Sequence, residues 1–109
     1  MLARLWQTEA GEKLRPAVLL CQLPPFGDWL ACGISTQLHQ RVAGFDEMVG
    51  AKDADYTRSG LLAPSIIRLG YLAVLPASRL LGSIGSIAPA RYLKLRQRLS
   101  DHLKPPATP

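Results

Sequence analysis

Residues 32–40, "CGISTQLHQ", close an apolar run with Ser35, Thr36, Gln37 and His39 almost side by side. A serine hydroxyl can donate to a phosphate oxygen, and histidine is the side chain whose ordinary pKa suits proton transfer near neutral pH. If the strand runs on past Ser35, Gln37 and His39 return to the face of Ser35, while Thr36 points to the other. The same residues also make an ordinary polar strand end with a surface histidine. Types and spacing leave both readings open.

The elements that would position this cluster are short and extended. "LARLW" at 2–6 reads as the start of a strand, and "QTEAGEK" at 7–13 as a polar loop. "RPAVLLCQL" at 15–23 and "DWLACGIST" at 28–36, joined by "PPFG", make a β-hairpin, with Pro16 at a position that needs no ladder donor. Trp29 and Ile34 are candidate core residues. "VAGFDEMV" at 42–49 reads as a shorter strand anchored by Phe45, and "GAKDADYTRSG" at 50–60 as a charged loop. "LLAPSIIRLGYLAVLP" at 61–76 is a long extended stretch whose Pro64 and Gly70 predict a bend or bulge. "LLGSIGSI" at 80–87 carries Gly82 and Gly85, which suggest tight curvature or close backbone approach.

One helix is expected, "PARYLKLRQRLSDHL" at 89–103. Pro89 suits a first helical position, and Tyr92, Leu95, Leu99 and Leu103 form one apolar stripe. Arg91, Lys94, Arg98 and Asp101 lie on the other side. The fold class is mainly β: a small β-barrel with a C-terminal helix packed on it. Residues 1–104 form a single domain, followed by a disordered proline-rich tail at 105–109.

Hydrophobic residues at 48% and charged residues at 19% give a globular composition. The net charge of +5 lies entirely at the C-terminus, because residues 1–78 hold seven Lys/Arg against seven Asp/Glu. Residues 79–109 hold Arg79, Arg91, Lys94, Arg96, Arg98 and Lys104 against Asp101 alone. Such a patch suits a polyanion or an acidic protein, or is a solvated helix face. Cys21 and Cys32 fit neither a redox pair nor a disulfide framework, and free buried thiols suit a reducing cytoplasm. Two Cys and two distant His do not make a zinc site. Arg68 and Pro76 break the longest apolar stretches, so no membrane span is expected, and the start of the chain lacks the apolar segment of a signal peptide.

"RPAVLL" at 15–20, "GISTQ" at 33–37, "RVAGF" at 41–45 and "TRSGLL" at 57–62 occur in the order in which the MazF/PemK (Kid) family of toxins carries similar stretches. The chain resembles that family over nearly its whole length. The resemblance implies an SH3-like barrel, a homodimer, and a cytoplasmic endoribonuclease that cleaves single-stranded RNA with no metal or other cofactor. It also implies a cognate antitoxin that neutralises the toxin by occupying the RNA groove. Arg15 sits where the family's functional arginine sits, and Ser35 aligns with its hydroxyl residue at the end of the same strand. These two are the candidate catalytic residues. A guanidinium is a poor base, so Arg15 is assigned phosphate binding and charge stabilisation. Thr36, Gln37, His39 and Arg68 are candidate RNA contacts. Phe26, Trp29 and Tyr56 are candidates for stacking on bases, or for the core.

Two departures stand out. An Arg-x-Asp pair of the Kid branch falls at Ala63 and Ser65, so that acid–base pair is missing, and Arg68 is the nearest positive charge. Family chains also enter the first strand through a Gly–acidic pair, whereas Met1 here begins inside it. Two other functions compete with RNA cleavage. One is a non-catalytic nucleic-acid- or antitoxin-binding barrel. The other is a gyrase-targeting toxin like CcdB, which works through a Trp-Gly-Ile end where this chain has "PPATP".

Overall fold

The computed structural model describes residues 3–10 and 13–106; side chains before Leu14 are described only for Leu5, Trp6 and Thr8. Six strands, β1 (Ala3–Ala10), β2 (Lys13–Leu23), β3 (Asp28–Ser35), β4 (Glu47–Val49), β5 (Ser65–Leu75) and β6 (Leu80–Ile87), form one antiparallel sheet. Its order is β4-β5-β3-β2-β1-β6. A short helix, α1 (Tyr56–Ser59), precedes β5, and α2 (Pro89–Leu103) follows β6. The sheet curls into a small barrel with α2 packed on it, which is the expected class.

One face of the sheet buries Leu5, Val18, Leu20, Cys32, Val49, Ile67, Leu69 and Ile87 against Leu95 and Leu99 of α2. Leu95 is fully buried, a burial that contributes about 2 kcal/mol. Tyr92 packs on the same core, and its hydroxyl donates to the Leu20 carbonyl at 2.6 Å. Leu103, expected in the same stripe, is 68% exposed because the helix runs past the core there. The opposite face carries a smaller cluster of Ala17, Leu19, Ala31 and Leu75, with Trp6, Trp29 and Leu80 against it.

Three stretches depart from expectation. The loop expected at 7–13 is strand through Ala10 and again from Lys13; its central residues 11 and 12 lie outside the described residues. β1 pairs with both β2 and β6, and two ladders outweigh polar composition. The strand expected at 42–49 shortens to 47–49, because Asp46 folds back and accepts the Val42 N–H at 2.9 Å. The loop at 50–60 contains α1, ended by Gly60 in the left-handed region at φ 75°.

The glycine expectations hold at Gly70 and Gly85, whereas nothing lies close to Gly82. At Gly70 the pairing of β5 with β3 jumps from Leu72–Cys32 to Arg68–Gly33, so Leu69–Tyr71 bulge out. At Gly85 a Cβ would run into the backbone of Arg58 and Ser59, so the bare glycine lets α1 close against β6.

The charged side of α2 is not simply solvated. Arg91 bonds Asp55 through Nε (2.9 Å) and Nη2 (3.0 Å), Asp53 at 3.1 Å and Glu47 at 3.3 Å. Arg98 bonds Glu47 at 2.9 Å and the carbonyls of Phe45 and Asp46. The basic face expected to meet a polyanion or water is thus partly spent on acids of the 46–55 segment. Both cysteines are free thiols, Cys32 buried and Cys21 half-buried.

Candidate functional site

On the face opposite the helix, β2, β3 and β5 bound a groove of about 690 Å³. Its floor is small: Ala17, Ala31, Gly33 and Ala73. The register explains why. Ala17 pairs with Gly33, Gly33 with Arg68, and Thr8 with Arg15, so alternate residues of four strands share this face. Extending the Ala17–Gly33 register by two residues sets Arg15 opposite Ser35. Pro16, which has no N–H, lies where that ladder ends.

Arg15, Ser35 and Arg68, three of the residues singled out from sequence, therefore line one groove. Arg15 is exposed, Ser35 and Arg68 half-buried. Thr8, buried beside Arg15, donates its hydroxyl to the Arg15 carbonyl at 3.0 Å and pins the backbone that carries the guanidinium. The Ser35 Oγ accepts the Gln37 N–H at 3.0 Å, which leaves the Ser35 proton to be donated elsewhere.

That hydrogen bond also marks where the strand stops. Leu38–Gln40 form a 3-10 turn, so the alternation that would have returned Gln37 and His39 to the face of Ser35 does not occur. Thr36, Gln37 and His39 are exposed beyond the groove mouth rather than along its lining. Ser65, at the position of the Kid-branch acid, is buried and donates its hydroxyl to the Ala63 carbonyl at 2.9 Å, which places it outside the groove. The arginine that β5 does supply is Arg68, and the residue two positions on is Gly70, which has no side chain.

Two further residues of the lining had no clear sequence signal. Arg79 comes from a 3-10 turn after β5, and Tyr71 from the bulge. The Arg68 guanidinium lies 5.5 Å from the centre of the Tyr71 ring. The stacking candidates named from sequence lie elsewhere: Phe26 is 88% exposed at the β2–β3 turn, while Trp29 and Tyr56 pack on the two cores.

The electrostatics follow from this composition. Among the described residues, Arg15, Arg68 and Arg79 face a lining that contains no carboxylate and no imidazole. Cys32 touches the groove wall, but burial, and secondarily the charge of Asp46, pushes its thiol up to about 12, so it stays protonated and is no nucleophile. Among the described residues no group of three His, Cys, Asp or Glu stands close enough to hold a metal ion, and no helix is long and apolar enough to cross a membrane. The arrangement can bind a phosphodiester through guanidinium forks and offer it a hydroxyl donor.

No protein-family model matches the chain, and no curated protein matches it. Among solved structures, the chain is similar to an endoribonuclease in complex with its cognate antitoxin from a mycobacterial species. The two are 16% identical with a TM-score of 0.70, over 97% of this chain and 98% of that one. At that identity the likeness is one of fold, and it is the fold that the resemblance to MazF/PemK toxins implies.

Proposed function

We propose that this chain is a toxin endoribonuclease that cleaves single-stranded RNA at specific sequences without a metal ion, in the cytoplasm, as a homodimer neutralised by a cognate antitoxin. The observation that carries the reading is the groove: three arginines and the Ser35 hydroxyl line it with no acid between them among the described residues, on the fold of an endoribonuclease. In the proposed reaction the RNA 2′-oxygen attacks the adjacent phosphorus. The 2′-O–P bond forms as the P–O5′ bond breaks, giving a 2′,3′-cyclic phosphate and a free 5′-hydroxyl. Arg15 and Arg68 hold the non-bridging oxygens and Ser35 donates to one of them, so negative charge that grows on the phosphorane meets preset donors. Among the described residues the groove offers no carboxylate or imidazole to take the 2′-proton, and the proposed reaction assigns that transfer, and the protonation of the leaving oxygen, to water.

The same gap supports a second reading, a barrel that binds RNA or antitoxin without cutting. One assay separates the two: purified protein, a long single-stranded RNA, and EDTA. Cleavage that leaves a 2′,3′-cyclic phosphate, lowered about 100-fold or more in Arg15→Ala, supports the enzyme. Intact RNA at high protein concentration, with binding retained, supports the second reading.

A further inference from the structure

Phosphate binding accounts for the arginines and the serine, but not for Tyr71. This residue is 64% exposed within the lining of the groove. It stands on the β5 bulge, three residues from Arg68, and its ring lies across Gly33 of β3. A Cβ at position 33 would come within 2.6 Å of the ring, so any other residue there would displace it. The Arg68 guanidinium lies over the ring, 5.5 Å from its centre, and places a cation beside the exposed part of the aromatic surface. A large exposed aromatic in a groove lined by arginines offers a flat apolar surface that a planar partner can cover.

We infer that Tyr71 is a stacking platform for one unpaired base of the substrate, next to the phosphate gripped by Arg15 and Arg68, and that Gly33 is the seat that holds the ring in place. The inference rests on the RNA reading of the groove. A base within a duplex keeps its faces on its neighbours, so such a platform selects single strands. Every base has a π-face, so Tyr71 adds affinity for bases as such.

The test uses short fluorescein-labelled 2′-O-methyl oligomers of A, C, G and U, which lack the attacking hydroxyl, with inorganic polyphosphate as a base-free competitor. Tyr71→Ala weakens the best-bound oligomer about 5- to 100-fold, and Tyr71→Phe stays within about twofold of wild type. Polyphosphate competes equally well against wild type and both variants, while Arg15→Ala weakens oligomer and polyphosphate alike. A Tyr71→Ala protein that binds the oligomers as tightly as wild type, or that loses polyphosphate to the same degree, overturns the platform and leaves the RNA reading standing. If no oligomer binds wild type, or Arg15→Ala and Arg68→Ala bind undiminished, the RNA reading falls and the platform with it.

Discussion

Ser35 and His39 lie four positions apart, yet the chain between them changes direction. The Gln37 N–H donates to the Ser35 Oγ, and the 3-10 turn that follows carries His39 out to solvent. Ser35 stays in the groove with its proton free, so in the proposed reaction its contribution is a hydrogen bond that strengthens as charge builds on the phosphate. Removing one such donor typically costs about 100-fold or more in rate. Ser35→Ala is therefore expected to lower RNA cleavage by about that factor, and Ser35→Thr, which keeps the hydroxyl, to stay within about tenfold of wild type. His39→Ala is expected to leave the rate within about threefold. Initial rates on one defined RNA measure all three variants. A His39→Ala rate as low as that of Ser35→Ala would contradict the separation that the turn imposes.

The groove depends on elements that never touch it. Asp46 is buried, and its two carboxylate oxygens accept the N–H groups of Val42 and Leu69, so it ties the 42–46 turn to the β5 bulge that presents Arg68 and Tyr71. Asp46→Ala leaves the buried Leu69 N–H without a partner and is expected to cost about 2 kcal/mol in urea unfolding, with weaker RNA binding. The other clip is Asp55, whose carboxylate takes Arg91 and the Ala88 N–H at the start of α2. Burial pushes that carboxyl up, but the hydrogen bonds and the positive charge of Arg91 outweigh it and hold the carboxyl below its ordinary value. A depressed carboxyl contributes stability that is full above its unfolded value of about 3.9 and is lost as pH falls through the lower folded value. Stability from this pair is thus expected to be flat from neutral pH to about pH 4 and to decline below that. Arg91→Ala is expected to lower stability at pH 7 by about 2 kcal/mol and to flatten the acid limb, as read from unfolding midpoints across pH. These elements differ in how legible they were. Strands 15–23 and 28–36 and the helix at 89–103 announce themselves by apolar pattern and proline punctuation. The four-residue α1, the folding back of Asp46 and the pairing of Arg91 with acids some forty residues earlier are long-range choices that no local pattern encodes. Arg15 and Ser35, which a motif marked, do line the groove; Tyr71 lies in an apolar run, and the bulge at Gly70 carries it into the lining.

At the scale of the whole molecule the question is which positive surface meets the polyanion. The sequence excess of +5 lies at the C-terminus, much of it on α2. In the fold, Arg91 and Arg98 are tied to Glu47, Asp53 and Asp55, and Lys104 to Asp101. Lys94 stands 3.8 Å from Glu47, and Arg96 lies 5.7 Å from the Tyr92 ring centre, away from the groove. Arg15, Arg68 and Arg79 are drawn from three separate stretches of chain and line one concavity that holds no acid among the described residues. The groove therefore concentrates positive potential that the helix, despite its composition, partly neutralises. Binding of single-stranded nucleic acid releases about 0.7 counterion per phosphate neutralised, so three groove arginines give a slope of about −2 in a plot of log affinity against log salt. Arg79→Ala is expected to make that slope shallower by about 0.7, and Arg68→Ala likewise, while Lys94→Ala and Arg96→Ala leave it unchanged. Affinities of an uncleavable 2′-O-methyl oligomer measured across a salt series decide the matter. A slope that responds to the helix variants and not to the groove variants would move the nucleic-acid surface from the sheet to α2.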